Sequence, residues 1–467
     1  MNEMLKARFT FFLLFVLAVS LVRPAVPVAE KLGYAICISK KAMADGKWKA
    51  VADALKEKYR GKFITRIFTF NEDVKALRDE LSQFSPRYVC FVMPPEELAS
   101  YKEFVPTVNQ MLRQLDDDPY GDAIWGIITG YDAEDALRIA RFPGPIRLRR
   151  ALSGCGATYL EHFCQGKGYD EGKQGVGYIK DVEDGIRQCQ VPPDATKEIV
   201  DDLNSNKYDF FVTSGHATEH DWQIGYTFKS GQFRHENGQL FGLDTKGNRY
   251  YINSTNPKVY LPAGNCLIAH IDGRDCMATS FLHSAGVYQM YGYTVPTWYG
   301  FGGWNVMWFL TSAGDYLTFG EATFFTNQTL LMHLYEKVPE VVNNERHYQG
   351  HIYDRDVCVL YGDPALEVRM NKMCNIPAVF LKLDMRPIGA MAYRFTFSVT
   401  ALRDITFDPT RADAVATFLP FRIKRASDIQ TDENTKPVIT DDFVLLQIKG
   451  KLKKGERKTL SFTAFRI

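Results

Sequence analysis

Two residues with complementary chemistry, a histidine and a cysteine, each follow an apolar run typical of a β-strand. His216 follows the run 208–215, and Cys266 follows the run 259–265. The end of a strand suits a reactive group, because the sheet holds the strand while its last residue faces a crevice. A cysteine is a strong nucleophile as its thiolate, and a histidine can remove the thiol proton near neutral pH. The pair therefore predicts nucleophilic catalysis by Cys266 with His216 as the base.

The order of the two residues along the chain is also informative. Cys266 lies 50 residues after His216, which is similar to the order and spacing in caspase-like cysteine peptidases. Such an enzyme must stabilise the negative charge that develops on the carbonyl oxygen of the bond being cut. We expect the backbone amides of Cys266 and of Ala217, the residue after the histidine, to form this oxyanion hole.

Two other interpretations of the same region remain open. His216, Glu219 and His220 form the pattern H-x-x-E-H, which on a helix would place two histidine ligands of a zinc ion on one face. A strand pattern runs directly into His216, however, and the residues after His220 do not continue a helix well. Cys276 is the alternative nucleophile if the strand ends later than we predict.

A segment rich in glycine and aromatic residues, 296–304, follows the catalytic candidates. Glycine allows the backbone to approach a ligand closely, and tryptophan provides a flat apolar wall. Trp298 and Trp304 are therefore candidates for the rim of a substrate pocket. A packed aromatic loop would have the same composition.

The elements that must position these residues alternate between strand and helix patterns. Nearly continuous apolar strands between amphipathic helices predict an α/β fold, with a mostly parallel sheet flanked by helices. The predicted strands are 34–39, 63–70, 87–93, 123–129, 208–215, 259–265, 287–293 and 357–361, and the last of these is expected to end the sheet. The predicted helices are 47–59, 74–84, 133–141, 197–204, 277–285 and 312–335. The glycine-rich residues 145–195 show weak periodicity and are predicted to form an elaborated connection.

The pattern changes after residue 376. Short apolar runs at 380–383, 393–399, 416–419, 443–448 and 460–464 alternate with turns, and helical periodicity is absent. This pattern predicts a small β-sandwich over 376–467. The α/β catalytic domain is expected to cover 30–372, with subdomains near 30–145 and 195–372.

The N-terminus has the features of a secretion signal. Lys6 and Arg8 precede an uncharged apolar run of 14 residues, 9–22, which is short for a membrane span but typical of a signal peptide. We expect a signal peptide within residues 1–29 and an exported protein with no further membrane span.

Cysteine placement and net charge narrow the class of protein further. Export permits disulfide bonds, and three of the nine cysteines lie in polar, glycine-rich sequence where a disulfide is expected: Cys155, Cys164 and Cys189. Three others lie in apolar strands and are expected to be buried thiols: Cys37, Cys90 and Cys358. The 56 basic and 55 acidic residues nearly balance, so no charge field indicates a nucleic-acid partner.

Five short motifs together resemble the gingipain family of cysteine peptidases, peptidase family C25, over roughly residues 85 to 370. They are Asp118-Pro119-Tyr120-Gly121-Asp122, Ser214-Gly215-His216, Gly264-Asn265-Cys266, Ser284-Ala285-Gly286-Val287 and Gly362-Asp363-Pro364-Ala365-Leu366. The last motif is the strongest, because the family often closes its catalytic domain with a similar strand exit. The chain departs from the family pattern at Ala217, where glycine is usual, and at Asn265, where a smaller residue is usual. A left-handed backbone at position 217 would cost alanine about 1 kcal/mol or more.

The resemblance implies a caspase-like α/β domain followed by an immunoglobulin-like β-sandwich. It implies an exported cysteine endopeptidase, secreted or otherwise extracytoplasmic, with His216 as base, Cys266 as nucleophile, and proteins or peptides as substrates. No cofactor is then required, and calcium would be a structural ion. Members of the family favour basic residues at the cleavage site, so an acidic pocket residue is expected, for which Asp122 is a candidate. A catalytically silent, gingipain-like binding protein is the alternative.

Overall fold

The computed structural model describes residues 31–374, 376–409 and 413–467. The predicted signal peptide, residues 1–29, lies outside these ranges. Within them, no helix is both long enough and apolar enough to cross a membrane.

The strands are numbered in chain order. They are β1 (Gly33–Ser39), β2 (Ile64–Phe70), β3 (Tyr88–Val92), β4 (Ile124–Ile128), β5 (Ile146–Leu148), β6 (Arg150–Ser153), β7 (Gln165–Tyr169), β8 (Val176–Asp181), β9 (Gly185–Gln190), β10 (Phe210–Gly215), β11 (Asp221–Gln223), β12 (Gln232–Glu236), β13 (Gln239–Leu243), β14 (Arg249–Tyr251), β15 (Lys258–Asn265), β16 (Val287–Tyr293), β17 (Cys358–Gly362), β18 (Val368–Met370), β19 (Val379–Pro387), β20 (Ala392–Ala401), β21 (Ile405–Phe407), β22 (Ala414–Phe418), β23 (Ser427–Thr431), β24 (Thr435–Ile439), β25 (Phe443–Ile448), β26 (Gly450–Leu452) and β27 (Arg457–Phe465).

The helices are numbered in the same way. They are α1 (Lys40–Ala44), α2 (Gly46–Lys58), α3 (Arg78–Phe84), α4 (Pro95–Ser100), α5 (Phe104–Leu112), α6 (Ala133–Arg141), α7 (Thr196–Asn204), α8 (Met277–Ser284), α9 (Phe301–Trp304), α10 (Val306–Thr311), α11 (Phe319–Tyr335), α12 (Pro339–Val342) and α13 (Glu345–Asp354), with short 3-10 helices at Val74–Leu77 and Leu160–His162.

A central sheet of twelve strands carries the α/β part of the chain, in the order β2-β1-β3-β4-β17-β16-β15-β10-β6-β7-β8-β9. Strands β2, β1, β3, β4 and β17 form one parallel block. Strands β16, β15, β10, β6 and β7 form a second parallel block, and the two blocks meet at the antiparallel pair β16–β17. The predicted mixed α/β fold with a mostly parallel sheet is confirmed. Inner strands such as β3 are buried along their whole length, which explains their continuous apolar sequence.

The strand predicted to end the sheet, β17, instead lies at its centre between β4 and β16. Its exit is anchored by Asp363, which is fully buried and accepts hydrogen bonds from Tyr34 at 2.8 Å and Tyr59 at 2.6 Å. Lys58 Nζ lies 2.7 Å from the same carboxylate. Burial opposes ionisation, but Lys58 and the two hydroxyls hold the pKa of Asp363 below its usual value. Through Asp363, the Gly-Asp-Pro motif therefore links β17, at the centre of the sheet, to β1 and to the C-terminal end of α2.

Residues 145–195, predicted to be a connection, extend the sheet by four strands, β6 to β9. Several of their glycines lie where the backbone is too crowded for a side chain. A Cβ on Gly168 would lie 2.1 Å from the carbonyl oxygen of Gly156, and one on Gly166 would lie 2.7 Å from Leu160. The glycines that permit this packing also remove the alternation of side chains by which a strand is predicted.

The predicted long helix over 312–335 is shorter and begins at Phe319. Thr318 caps α11 in a reciprocal pair of hydrogen bonds with Glu321, which fixes the start of the helix. The residues before this cap include a separate short helix, α10.

The C-terminal strands form antiparallel sheets in the orders β19-β20-β27-β23, β22-β25-β24 and β21-β26. This arrangement is consistent with the predicted β-sandwich, and its immunoglobulin-like character stays a prediction. One face packs on α11, where Phe324 and Phe325 contact Phe418 and Phe443. The C-terminal strands and the α/β part therefore share a hydrophobic core.

One disulfide joins Cys164 to Cys374 across 210 residues. Of the other two disulfide candidates, Cys155 is a buried free thiol and Cys189 is a half-buried one. The expected buried thiols Cys37, Cys90 and Cys358 are buried and free. The sequence pattern identified one partner of the disulfide correctly, but Cys374 gave no signal.

Candidate active site

The ends of β10 and β15 bring His216 and Cys266 to the same edge of the sheet. The two strands are parallel neighbours, and their last paired residues are Gly215 and Asn265. His216 and Cys266 each follow this pair by one residue. The register of the sheet therefore places His216 and Cys266 next to each other. The sequence predicted this only from the order of the two residues along the chain.

Asn265 ties the two strands together directly before the candidate pair. Its side chain is fully buried, accepts a hydrogen bond from Thr213 at 2.5 Å and donates one to the Gly215 carbonyl at 3.1 Å. The departure from a small residue at this position thus has a structural reason, since the amide fixes the separation of the strand ends.

The sulfur of Cys266 is half-buried and receives a backbone hydrogen bond. The Thr297 amide lies 3.2 Å from Sγ, and the Thr297 hydroxyl donates to the Asn265 carbonyl at 2.8 Å. Leu267, the next residue, has φ of 55°, a left-handed conformation that an L-residue with a branched side chain rarely adopts. The chain therefore turns sharply at the cysteine, as is common at functional sites.

The His216 side chain is exposed, and its ring stacks on Tyr226 with 4.8 Å between centroids. Gly215 has φ of 91°, so the left-handed turn lies before the histidine. Ala217 is not among the residues with positive φ, and the backbone cost expected for alanine at this position does not arise.

The Ala217 amide is available as a hydrogen-bond donor. Ala217 forms an isolated antiparallel bridge with Trp222, but the hydrogen bonds of that bridge are donated by Thr218 and Gln223. In the described ranges, the Ala217 amide donates to no other group. This predicted oxyanion donor therefore remains unused by the fold.

An acidic residue that the sequence analysis missed, Glu171, lies beside the strand that carries His216. Its two carboxylate oxygens lie 2.6 Å from the Ser214 hydroxyl, and one lies 3.3 Å from the position that a Cβ on Gly215 would take. Its backbone carbonyl accepts from the Tyr226 amide at 2.7 Å. Burial raises the pKa of Glu171 above its usual value. The one feature of the sequence that could have identified Glu171 is its place as an acidic residue in a glycine-rich turn after a strand.

The predicted acidic pocket residue, Asp122, is not at this site. Asp122 is buried just before β4, and β17 and β16 lie between β4 and β15 in the sheet. Its carboxylate accepts from the Leu115 amide at 3.2 Å, and the neighbouring Asp442 and Arg422 belong to the C-terminal strands. Burial and nearby carboxylates raise its pKa to about 9. A buried group in this position suits a packing role better than contact with a substrate.

The two predicted tryptophans differ in position. Trp304 lines a cavity of about 670 Å³, and its ring covers Gly264, where a Cβ would lie 3.0 Å from the indole. Trp298 is 66% exposed and is not part of the cavity wall.

The alternative nucleophile, Cys276, lies inside the protein. It is fully buried at the N-terminus of α8, where its side chain pairs with Thr279 as a helix cap. Burial raises the pKa of the Cys276 thiol to about 11. A thiol in this position is held in its unreactive form.

The residues of the H-x-x-E-H pattern do not lie on a helix. His216 to His220 occupy a turn and an isolated bridge, so the one-turn spacing of two zinc ligands does not form. Glu219, His220 and Asp272 do bring ligand atoms within 4.8 Å of one another, without His216. A second such group consists of Asp116, Asp122 and Asp441. The expectation of structural calcium stays a prediction, and the second group offers the carboxylate oxygens that calcium prefers.

A family model matches the part of the chain that carries these residues. Residues 158–369 match the family model described as Peptidase family C25. The matched segment is a gingipain-like C25 domain. It contains β10, β15, His216 and Cys266. No curated protein and no solved structure gives a significant match.

The match to the C25 family model indicates a cysteine-type peptidase, and a peptidase family implies protein substrates. Gingipain-family proteins are typically extracytoplasmic. The C25 match ends at residue 369, before the C-terminal strands begin at Val379.

Proposed function

We propose that this C25 protein is an exported cysteine endopeptidase with Cys266 as nucleophile and His216 as general base and acid. The register of β10 and β15 carries the proposal, because His216 and Cys266 directly follow the paired residues Gly215 and Asn265. The Thr297 amide, which donates to Sγ, supports the choice of Cys266.

The reaction follows from the chemistry of the pair. His216 removes the thiol proton, and Sγ of Cys266 attacks the carbonyl carbon of the scissile peptide bond. The C–N bond breaks as His216 gives the proton to the leaving amine, and a thioester remains on Cys266. Water, deprotonated by His216, then attacks the thioester and releases the acid product and the thiol.

The oxyanion of the tetrahedral intermediates is stabilised by the amides of Cys266 and Ala217. The Ala217 amide is unused by other described groups, and a donor of this kind accelerates acyl transfer by about 10²–10³-fold. The stack of His216 on Tyr226 supports the orientation of the imidazole.

Glu171 is the acidic residue that we assign to a basic substrate side chain. It lies beside Ser214 and Gly215, and its carboxylate makes no ion pair within the described ranges. Because family members favour basic residues at the cleavage site, Glu171 takes the role that the sequence analysis gave to Asp122.

Export and domain organisation belong to the same proposal. The disulfide between Cys164 and Cys374 supports an oxidising compartment outside the cytoplasm. We divide the mature protein into a catalytic domain over 30–372 and an immunoglobulin-like sandwich over 376–467, which the antiparallel C-terminal sheets support.

Alkylation of Cys266, together with substitution of Cys266 and of Cys276, tests the proposal. We expect iodoacetamide at neutral pH to modify Cys266 rapidly, as found by mass spectrometry, with a matching loss of casein hydrolysis. Cys266→Ala should lower kcat by roughly 10⁴-fold or more. Cys276→Ser is the matched control and should retain activity, because serine preserves the cap of α8.

Two outcomes would contradict the proposal. Activity that is lost to phenanthroline but survives alkylation would favour zinc chemistry. An unreactive Cys266 in a protein without peptidase activity would favour a silent binding protein.

A further inference from the structure

The cavity of about 670 Å³ lies where several parts of the chain meet, and one of them is outside the C25 match. Its wall is formed by the connection between β6 and β7, by the segment around α9 and α10, by the first turn of α13, and by the turn after β20. Arg403 in that last turn belongs to the C-terminal strands. The apolar side chains of the wall include Tyr299, Phe301, Trp304 and Trp308.

The cavity adjoins Cys266 through two short connections. Thr297 donates its amide to Sγ, and Tyr299, two residues later, lines the cavity. Trp304, which also lines the cavity, covers Gly264, two residues before the cysteine. Glu171 contacts Ser214 on the strand that carries His216. The Ser214 Cβ and the Trp304 ring both approach the position of a Cβ on Gly264, at 3.1 Å and 3.0 Å, so the two features lie on the same face of the β10–β15 pair.

The charged side chains of the cavity are mainly basic. Arg346 and Arg403 make no ion pair within the described ranges, and Arg346 lies 5.8 Å from the centre of the Tyr299 ring. His347 lines the same wall. The acidic group in the lining is Glu161, whose carboxylate lies 3.5 Å from His162 Nε2.

Two guanidinium groups without an ion pair, in a cavity with aromatic walls, have the chemistry that binds a carboxylate. Arginine presents several N–H donors in a planar fork that matches a carboxylate, and the aromatic walls exclude part of the water that would weaken the pair.

We propose that this cavity is a second substrate subsite, which binds an Asp or Glu side chain of the peptide near the scissile bond through Arg346 and Arg403. The inference rests on the proposed peptidase function and extends it to substrate class. The C-terminal strands then take part in substrate selection through Arg403.

Matched peptides test the subsite. In each pair, one peptide carries Glu at a single position on either side of the cleavage site and the other carries Gln. For the unmodified enzyme we expect kcat/KM to favour the Glu peptide by about tenfold or more at one position. Arg346→Gln with Arg403→Gln should abolish that preference through a rise in KM for the Glu peptide.

Arg141→Gln is the control, because it makes the same change on the exposed end of α6 outside the cavity. It should leave the Glu preference and the activity unchanged. Equal cleavage of Glu and Gln peptides at every position would overturn the proposal, as would a preference that persists in the double variant.

The same peptides separate failure of the subsite from failure of the peptidase function. If no peptide is cut, fluorescence anisotropy measures their binding to the intact protein. Tighter binding of the Glu peptide that is lost in the double variant would support the subsite while the peptidase proposal fails. Equal binding of both peptides would overturn the subsite.

Discussion

At the scale of single residues, Glu171 and Asp122 show how burial decides the role of a carboxylate. Asp122 is 5% exposed, far from the candidate pair in the sheet, and has a pKa raised to about 9 by burial and neighbouring carboxylates. Glu171 is half-buried beside the strand of His216, with a pKa that burial raises less. A half-buried carboxylate can still meet a substrate cation, whereas a buried one mainly affects stability.

Glu171→Gln should lower kcat/KM for Lys and Arg peptides by about 10- to 100-fold, because the amide cannot form the ion pair. The raised pKa means that Glu171 loses its charge on acidification at a higher pH than an ordinary glutamate. The acid limb of kcat/KM for basic peptides should therefore contain a Glu171 step that is absent for neutral peptides.

The pH profile of the Glu171→Gln variant should lack this step and match the profile of neutral peptides. Glu183→Gln, at an exposed turn between β8 and β9, is the control for loss of a negative charge. An unchanged ratio of basic to neutral substrate cleavage in Glu171→Gln would exclude this role.

At the scale of secondary-structure elements, the paired ends of β10 and β15 set the geometry of the site. The ladder ends at Gly215 and Asn265, and the Asn265 side chain bridges both strands through Thr213 and the Gly215 carbonyl. Because Asn265 is fully buried, its partners cannot be replaced by water without rearrangement.

Asn265→Ala should lower the free energy of unfolding by about 1–3 kcal/mol and reduce kcat, because it leaves buried groups without partners. Thr213→Val removes the hydroxyl that donates a hydrogen bond to the Asn265 side chain. The double variant should be more stable than the sum of the two changes predicts, by about 0.5 kcal/mol or more. Urea unfolding and peptide hydrolysis measure both effects.

Asn248→Ala, at an exposed turn before β14, is the matched control and should have a much smaller effect on stability. Strict additivity of Thr213→Val and Asn265→Ala would show that the bridge does not couple the strands.

At the scale of the whole molecule, the C-terminal strands are joined to the α/β part by polar, apolar and covalent contacts. Arg87 and Asp442 pair at 3.4 Å, and Trp308 donates to the Ala414 carbonyl at 2.7 Å. The disulfide fixes Cys374, in the segment that leads to β19, to Cys164 at the start of β7. These contacts hold Arg403 against the cavity beside the candidate pair.

Removal of the disulfide in Cys164→Ser with Cys374→Ser should destabilise the protein by about 2–5 kcal/mol, because a crosslink across 210 residues restricts the unfolded chain. Dithiothreitol should lower the Tm of the unmodified protein and leave that of the double variant unchanged. Differential scanning fluorimetry measures both.

Cys189→Ser makes the same substitution at a half-buried free thiol and should change stability by less than about 1 kcal/mol. Titration of thiols in the denatured, unreduced protein should find seven free cysteines. Nine titratable thiols would show that the crosslink does not form.

The sequence was sufficient for much of the fold. The apolar runs at 34–39 and 287–293 are the strands β1 and β16, and the pattern at 197–204 is α7, because local periodicity records which faces are buried. The positions of His216 and Cys266 at strand ends also followed from local patterns. These features depend on residues that are close together along the chain, so the amino-acid sequence alone is enough to predict them.

The tertiary structure alone decided which distant segments meet. The central position of β17, the four strands within 145–195 and the pairing of Cys164 with Cys374 depend on contacts across the chain that leave no local period. The same holds for the burial of Asp122 away from the candidate pair, for the position of Glu171 beside Ser214 and for the cavity that Arg346 and Arg403 both line. A carboxylate or a guanidinium has the same local sequence signature wherever it lies, and only the packing of the chain fixes its burial and its partners.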